Sequence, residues 1–422
     1  MKRQFVKIMT VLKINTVMCV SLCLILGVAF GPMAKQSFAG EETVYIALIE
    51  GLSGPYAYAG QSILAGLEFA LEEANHSVLG KKLKLITRDN ELKPPLAIRK
   101  MREVVRKYKP FFVFQATSSS VSLAVEQVAL ELKVPLFCEG YATQITGLEC
   151  NRYTFRWDAP NYAGARSGLS AFLELHPNLK TFYIIRDNNA SGLDMTNIQK
   201  ELLKEIDAKI LKVVVTPLGN ADFSSYLTEI ASLKPDAVIF NTYGSGNINL
   251  TKQLWEFGIS KKVPILSAFG SLAMFRGMPP QAPKGIYYGL NWWPTMDNEW
   301  TKEFVAKWQK AHNGELPTDG AANSYNSLKM VLAVAEKVKS LKAKDLILGL
   351  EKFGKYDGPT GKEWMRPWDH QIVHAFLIGK GKAVKDKKYD DDYLDIVASA
   401  MEYPNTSPLD STCNFKINDE DL

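Results

Sequence analysis

Two adjacent serines stand where a predicted strand gives way to a predicted helix, a position at which they could hold an anion. Ser118 and Ser119 lie between the apolar run "PFFVFQA" and the amphipathic stretch "VSLAVEQVALELK". The first N–H groups of a helix have no intrahelical partner and lie at the positive end of its dipole, so they attract carboxylates. One serine could instead cap the helix, and the two roles are compatible. Thr143, after the next apolar run, would add a hydroxyl to the same anion.

Aromatic residues gather at or near the ends of the predicted strands. Rings in a core usually belong to the middle of a strand or helix, whereas rings at strand ends more often line a cleft. There they supply apolar contact area, and tyrosine and tryptophan add a hydrogen-bonding group. In aggregate they predict an aromatic-lined cleft, with "GLSGPYAYAG" as a ligand-facing loop. The residues are Tyr56, Tyr58, Tyr141, Trp157, Tyr162, Tyr243, Phe269, Trp292 and Trp293.

The motifs of common catalytic and metal sites are missing from the sequence. It contains no His-Glu-x-x-His, no Gly-x-Ser-x-Gly after a strand and no phosphate-binding Gly-x-x-x-x-Gly-Lys. His370 and His374 are four residues apart, but they lie in a strand-like run, where that spacing separates them by roughly 13 Å. We therefore expect neither an enzyme nor a metal or cofactor site.

Short apolar runs alternate with amphipathic stretches along the chain, which predicts an α/β fold. "TVYIALIEG" is typical of a buried strand, and "SILAGLEFALEEAN" places its apolar residues on one helical face. Strands that alternate with helices form parallel βαβ units with helices on both faces of the sheet. Because the pattern restarts near Asp158–Tyr162, we predict two doubly wound, Rossmann-like units in tandem.

The first 39 residues have the pattern of a secretory signal peptide. A basic start is followed by the apolar run from Ile14 to Phe30 and by the small-residue signal "SFA", which ends at Ala39. An uncleaved membrane anchor is the alternative. Cleavage removes five basic residues and no acid, so the formal net charge falls from +5 to zero. We expect an exported, periplasmic protein that does not span the membrane, and nothing in its charge indicates nucleic acid.

Three cysteines remain after cleavage, which permits one disulfide in an oxidising compartment. Cys138 ends the apolar run "VPLFC" and is typical of a buried small hydrophobe. We favour a Cys150–Cys413 bond, which would attach the polar tail to the body, with Cys138–Cys150 as the rival.

The exported chain with two tandem units resembles the type I periplasmic solute-binding proteins of ABC transporters, in the branched-chain amino-acid-binding (Leu/Ile/Val-binding) branch. The resemblance extends from about Val44 to Lys382. It rests on the segments "GLSGPYAYAGQSILAGLEFALEEAN", "DFSSYLTEIASLKPDAVIF", "QLWEFGI" with "VPIL", and "RPWDHQ".

This resemblance implies two lobes that are joined by a hinge of three crossings and close on a solute. Lobe 1 would contain residues 41–160 and 292–356, and lobe 2 residues 161–291 and 357–389, with residues 390–422 wrapping the surface near the hinge. We expect a monomer that binds a small molecule and docks on the membrane permease of an ABC transporter.

The resemblance also assigns contacts for a solute carboxylate. The serine at the helix start matches Ser118 or Ser119, and the loop after the next strand supplies the backbone at Tyr141 and Ala142 and the hydroxyl of Thr143. From the second lobe, a tyrosine of the family matches Tyr243, and we add Tyr56, Tyr58, Tyr162 and Phe269 as cleft-lining rings.

One departure from the family concerns the amino group of an amino-acid solute. The branch places an acidic residue where this chain has Phe269, and an ammonium buried without a counter-charge costs several kcal/mol. We therefore favour a hydrophobic or aromatic acid that lacks the ammonium. If Asp187 or Glu139 replaces the missing acid, branched-chain or other hydrophobic amino acids are the alternative. A sensory module that reports to a membrane receptor is the alternative from another class.

Overall fold

The alternation of strands and helices extends through the part of the chain that the computed structural model describes, residues 42–400, 412, 413, 415 and 422. The strands are β1 (Thr43–Glu50), β2 (Ser77–Val78), β3 (Lys81–Asp89), β4 (Phe112–Gln115), β5 (Leu136–Cys138), β6 (Thr154–Arg156), β7 (Thr181–Asp187), β8 (Lys209–Thr216), β9 (Ala237–Asn241), β10 (Ile265–Ser267), β11 (Tyr287–Leu290), β12 (Tyr356–Gly358), β13 (Gly361–Met365), β14 (Ile372–Val373), β15 (Phe376–Gly381) and β16 (Leu394–Ala400). The helices are α1 (Ala57–Glu73), α2 (Pro94–Tyr108), α3 (Ser119–Leu132), α4 (Asn161–Leu175), α5 (Ala190–Glu205), α6 (Ser224–Leu233), α7 (Gly244–Glu256), α8 (Leu272–Arg276), α9 (Glu299–Ala311), α10 (Asp319–Val338) and α11 (Ala343–Glu351).

The first sheet has the strand order β2-β3-β1-β4-β5-β6, and its strands run parallel except for the short β2. Its central strands are buried on both faces, as β4 illustrates with four consecutive buried residues. Helices α1 to α3 and α9 to α11 contribute side chains to the same apolar core. We call this sheet and these helices lobe 1.

The second sheet has the order β16-β15-β11-β10-β9-β7-β8. Strands β7 to β11 run parallel, β15 pairs antiparallel with β11, and β16 pairs antiparallel with β15. Successive residues of β7 point to opposite faces, so Phe182 and Ile184 enter one apolar core and Tyr183 and Ile185 the other. This sheet and helices α4 to α8 form lobe 2. The α/β class with two mostly parallel sheets confirms the predicted fold.

The chain passes between the lobes after β6, after β11 and again before β15, where a small sheet of β12, β13 and β14 intervenes. Met365 and Ile372 belong to the core of lobe 1, whereas Val373 and Phe376 belong to a core of lobe 2. The residues of β14 therefore divide between the two cores, whereas the sequence predicted a boundary at residue 357.

The segment after residue 389 differs from the prediction of a surface-wrapping tail. Residues Leu394–Ala400 form β16, which pairs with β15 and extends the sheet of lobe 2. In this edge strand Leu394 is buried, whereas Ile396 and Val397 are exposed. An edge strand with so little buried apolar surface leaves no clear hydrophobic pattern in the sequence.

A disulfide joins Cys150 to Cys413, the pairing that the sequence favoured, and Cys138 is a buried free thiol. Phe415, just beyond, has its ring centroid 4.6 Å from that of His370. Residues 401–411 and the predicted signal peptide, residues 1–39 with its cleavage site at Ala39, lie outside the described residues. Among the described helices, none is long and apolar enough for a membrane span.

Replacing both cysteines of this bond should destabilise the protein. The bond closes a loop with a sequence separation of 263 residues. Restricting the unfolded chain in this way contributes about 2–5 kcal/mol, depending on strain and residual structure. We expect Cys150→Ser with Cys413→Ser to lower the midpoint of denaturant unfolding by a corresponding amount. A reducing agent should lower the wild-type midpoint and leave the variant unchanged, and equal responses of the two proteins would contradict this prediction.

Candidate ligand-binding site

A buried carboxylate at the end of β1 fixes the loop that leads into α3. Glu50 accepts hydrogen bonds from the backbone N–H groups of Gly51 at 2.7 Å and Thr117 at 3.2 Å, and also from that of Ala116. Burial raises the pKa of Glu50, although these hydrogen bonds oppose the rise. A carboxylate at the end of β1 therefore positions the N-terminus of α3, which follows the neighbouring strand β4.

The two serines at this helix start have different roles. The hydroxyl of Ser118 accepts a hydrogen bond from the backbone N–H of Val121 at 3.4 Å, so it caps α3. Ser119 is the first helical residue, and its hydroxyl accepts from the backbone N–H of Ala142 at 3.0 Å. Ser119 lines a cavity between the lobes and Ser118 does not, so Ser119 is the better candidate for a solute contact.

Five of the predicted aromatic residues form one cluster between the lobes. The rings of Tyr141 and Phe269 are stacked with centroids 5.1 Å apart, and those of Tyr56 and Tyr243 meet edge to face at 5.1 Å. Tyr58 lies in the first turn of α1, not in a loop, with its ring 6.2 Å from Tyr243. Lobe 1 supplies Tyr56, Tyr58 and Tyr141, and lobe 2 supplies the other two rings.

Three small cavities adjoin this cluster, and Tyr141 and Tyr243 line all of them. We call them the acidic cavity, which contains Glu139, the hinge cavity, which contains Asn291, and the Asp187 cavity. Their volumes are about 20, 10 and 10 Å³, far below the roughly 300 Å³ at which ligand pockets begin. The lobes are therefore closed on each other, and a solute needs them to separate before it can enter.

Hydrogen bonds cross the cleft and stabilise this closed arrangement. From lobe 2, the side-chain amide of Asn189 donates to the hydroxyl of Tyr56 at 3.0 Å. The backbone N–H of Ala190 donates to the hydroxyl of Ser120 at 3.3 Å. The start of α5 is thus held against the starts of α1 and α3.

Thr143 does not line the three cavities, and its donors are used within the protein. Both its backbone N–H and its hydroxyl donate to Oδ2 of Asp194 at 2.9 Å. Asn161 donates to the same oxygen at 3.0 Å, and Gln144 to the other at 3.3 Å. A carboxylate of lobe 2 therefore occupies the donors that the resemblance assigned to the solute.

Several other predicted site residues also lie away from the cavities. Ala142 is fully buried in a small apolar group with Cys138 and uses its N–H on Ser119. The ring of Tyr162 lies under the guanidinium of Arg166, with 5.6 Å between centroid and Cζ. The tryptophans of the predicted set are core residues, with Trp157 and Trp292 in lobe 1 and Trp293 in lobe 2.

Three carboxylic acids from separate parts of the chain line the acidic cavity. Glu139 follows β5, Asp158 precedes α4, and Asp319 begins α10. Burial raises the pKa of Asp319 to about 7, and the charge of Asp158 adds to the rise. Burial and the neighbouring acids raise the pKa of Glu139 well above its ordinary value. The sequence analysis proposed Glu139 as one of two possible partners for a solute ammonium, but it did not predict Asp158 or Asp319 at the site.

Two histidines that were considered as metal ligands pair with acids instead. Nε2 of His374 lies 3.4 Å from Oδ1 of Asp158, and this contact raises the pKa of His374 although burial opposes it. Nε2 of His370 lies 3.0 Å from Oε1 of Glu351. Within the described ranges, no group of three or more His, Cys, Asp or Glu side chains could hold a metal ion.

Asp187, at the end of β7, lines the third cavity, and only one of its two carboxylate oxygens is hydrogen-bonded. Its Oδ2 accepts hydrogen bonds from the backbone N–H of Tyr243 at 2.9 Å and from the hydroxyl of Tyr56 at 3.5 Å. Its Oδ1 is buried without a hydrogen-bond partner. Burial raises the pKa of Asp187 to about 7, against the two hydrogen bonds that favour the charged form.

Asp187→Asn should change stability in a pH-dependent way. Because the folded-state pKa lies above the unfolded value, Asp187 favours the folded state at low pH, and this contribution is lost as the pH rises from about 4 to about 7. Asparagine resembles the protonated acid at every pH. Between about pH 5 and pH 7.5 the free energy of unfolding of the variant should therefore rise by about 2 kcal/mol relative to wild type.

Denaturant unfolding at the two pH values measures this difference. Asp236→Asn is the matched control, because Asp236 is exposed and its pKa is lowered by hydrogen bonds from the backbone N–H of Lys180 and the side chain of Thr181, so it stays ionised over this range. A difference between Asp187→Asn and wild type that does not vary with pH would contradict the prediction.

Two doubly wound lobes closed over shared, aromatic-lined cavities define a two-lobed ligand-binding protein. The sequence model described as a periplasmic binding protein matches residues 43–388. The chain belongs to this family, and the predicted resemblance is confirmed.

Relatives in this family cover most of the chain. A Leu/Ile/Val-binding protein homolog 4 of Brucella melitensis biotype 1 is 24% identical over 372 residues, which are 83% of this chain and 88% of the relative. An amino acid ABC transporter substrate-binding protein of Pseudomonas fluorescens Pf-5 is 26% identical with a TM-score of 0.81, covering 89% of this chain and 99% of that one. A solute binding protein of an ABC transporter from Rhodopseudomonas palustris BisB5, in complex with 3,4-dihydroxybenzoic acid, is 22% identical with a TM-score of 0.76, covering 86% and 99%.

Proposed function

We propose that this protein is the exported solute-binding component of an ABC importer of the branched-chain amino-acid type. The observation that carries the proposal is the cluster of rings and cavities to which both lobes contribute. The names of the Brucella and Pseudomonas relatives support it. The protein acts by binding and release, and it carries out no bond chemistry.

Closure of the lobes is the step that couples binding to transport. A solute that contacts both lobes shifts the population towards the closed form. Its hydrophobic or aromatic body would lie among Tyr141, Tyr243 and Phe269, and Ser119 with the N-terminus of α3 would receive a carboxylate. The closed form then presents the surfaces of both lobes to the membrane permease.

The chemical class of the solute needs one revision. The preference for an acid without an amino group rested on Phe269 standing where the family has an acidic residue. Asp158, Asp187, Glu139 and Asp319 all line the cavities, so carboxyl groups that could pair with an ammonium are present. The proposed function therefore covers hydrophobic and aromatic carboxylates both with and without an amino group.

A thermal-shift screen of the mature chain, residues 40–422, tests this function. The panel consists of leucine, isoleucine, valine and phenylalanine, together with benzoate, 4-hydroxybenzoate, phenylacetate and isovalerate. A solute at a hundredfold excess over its dissociation constant stabilises the folded state by about 2.7 kcal/mol. Small-angle X-ray scattering with each stabilising solute should show a smaller radius of gyration than without it.

Solutes carried over from the cell provide an independent test. Protein purified from the periplasm without denaturation should carry a small molecule that native mass spectrometry detects and that unfolding releases. If no panel member stabilises the protein and no such molecule is found, the proposed function is wrong.

A further inference from the structure

A groove opens on lobe 1 at the edge of its sheet that faces away from the cleft. It lies at the starts of β1 and β3 and just before β4 and β5, whereas the cleft lies beyond the opposite ends of β1, β4 and β5. Its volume is about 790 Å³, which is within the range of roughly 300–1,000 Å³ for small-molecule sites. The groove is therefore large enough for a ligand even while the lobes are closed.

The floor of the groove is the open end of the hydrophobic core of lobe 1. Phe111 and Val134 line it, and both are buried members of that core. The apolar residues around them are only half-buried and pack against the same core: Val44, Leu79, Val105, Leu132 and Leu341. Apolar surface of the core therefore remains in contact with water, and a hydrocarbon chain in the groove would cover it.

Lysines surround this apolar floor. Five of them line the groove, together with a single acid, Glu42. The lysines are Lys81, Lys109, Lys133, Lys339 and Lys342. Glu42 pairs with Lys81 at 3.0 Å, and Glu336, which does not line the groove, pairs with Lys339 at 3.3 Å. Lys109 and Lys342 are exposed, and neither is paired with an acid among the described residues.

Three of these lysines also cap helices, which offsets part of their charge. Lys109, Lys133 and Lys339 are the C-caps of α2, α3 and α10, with φ of 48°, 52° and 56°. A helix C-terminus carries about half a negative charge, which one lysine more than balances. Lys234 has the same position at the end of α6 in lobe 2, without a groove. Because three capped ends and Lys342 meet at one apolar groove, its rim is positive.

We propose that this groove binds a free long-chain carboxylate, of which a fatty acid is the simplest example. Its hydrocarbon chain would cover the apolar floor, and its carboxylate would lie at the rim that Lys109 and Lys342 form. The face of a bilayer is flat and cannot fill a concave groove, so a single molecule is the better fit. This site is separate from the cleft and does not rest on the proposed function.

Amphiphiles with one chain and different head groups test the preference for an anion. The mature chain, residues 40–422, is titrated calorimetrically with laurate, dodecyl maltoside and dodecyltrimethylammonium, each below its micelle concentration. We expect laurate to bind about tenfold or more tightly than the neutral maltoside, and the cation to bind more weakly still. Octanoate should bind roughly 100-fold more weakly than laurate, because it lacks four methylene groups that each contribute a factor of about three to four.

Variants of the rim locate the bound carboxylate. The double substitution Lys109→Gln with Lys342→Gln should weaken laurate binding about tenfold or more, because it removes two positive charges from the groove. Lys234→Gln is the matched control. Lys234 is, like Lys109, an exposed C-cap in the left-handed conformation, with φ of 52°, but it lies at the end of α6. This control should bind laurate like wild type.

Vesicles separate a free carboxylate from a membrane surface. Sedimentation with vesicles of phosphatidylglycerol or of phosphatidylcholine measures binding to anionic and to zwitterionic bilayers. The inference is wrong if laurate does not bind, binds no more tightly than the maltoside, or binds the double lysine variant as tightly as wild type. Binding of phosphatidylglycerol vesicles without binding of laurate would also overturn it and would assign the groove to the membrane. The importer function is judged separately, by the solute panel and by the molecule released from periplasmic protein.

Discussion

Gly244→Ala should weaken solute binding by about 10- to 100-fold and leave both lobes folded. Gly244 is the first residue of α7 in lobe 2, with φ of 64°, and it lies against lobe 1. A Cβ at this position would be 2.4 Å from the carbonyl oxygen of Pro55 and 2.4 Å from the ring of Tyr56. Because Pro55 and Tyr56 belong to lobe 1, the clash exists only when the lobes are closed. It should make closure less favourable by about 1–3 kcal/mol, and solute binding weakens by the same free energy.

The chain offers a matched control for the backbone strain of this substitution. Gly258 has φ of 68°, and a Cβ there would meet no atom within 4 Å. Gly258→Ala therefore carries the same conformational penalty, about 1 kcal/mol, without any clash. Calorimetric titration with a stabilising solute should show normal affinity for Gly258→Ala. Normal affinity for Gly244→Ala as well would mean that the closed arrangement is not the binding form.

Arg156→Met should lower the free energy of unfolding by about 3–5 kcal/mol, because it leaves several buried acceptors without a donor. Arg156 is 1% exposed and donates to the carbonyl oxygens of Gly140 and Ala142 and to the side chains of Thr146 and Gln371. Burial lowers the pKa of its guanidinium to about 10, so it stays charged at neutral pH.

Two further measurements make this prediction specific. Arg102→Met removes an exposed ion pair with Glu131 and should change the unfolding free energy by no more than about 1 kcal/mol. Because Arg156 holds the loop that carries Tyr141, its loss should also weaken solute binding in the protein that remains folded. Equal stabilities of the two variants would show that the buried network contributes little.

The sequence predicted the parts of the fold that depend on local pattern. The alternation of buried strands with amphipathic helices was sufficient to predict two parallel sheets, and β1 and β4 lie in the apolar runs that indicated them. β16 was not predicted, because Ile396 and Val397 are adjacent and both exposed, so its sequence lacks the alternation of apolar and polar residues that indicates a strand.

The sequence predicted part of the ring cluster between the lobes. Tyr141, Tyr243 and Phe269 follow strands, and the ends of the parallel strands of both sheets face the cleft, so their convergence follows from topology. The hydrogen bonds from Thr143 to Asp194 were not predictable, because Asp194 is 51 residues away and on the other lobe. Asp158 and Asp319 come together only in the tertiary structure, and no local spacing marks them.

The bond between Cys150 and Cys413 makes most of the chain a covalent ring. All strands of the second sheet, the hinge passages and the small sheet lie between these two residues. A protease that cuts once within this ring produces two polypeptides that remain a single molecule until the bond is reduced. Electrophoresis of nicked protein should therefore show one band without reducing agent and two bands with it, and the protein can tolerate surface cleavage without losing either lobe.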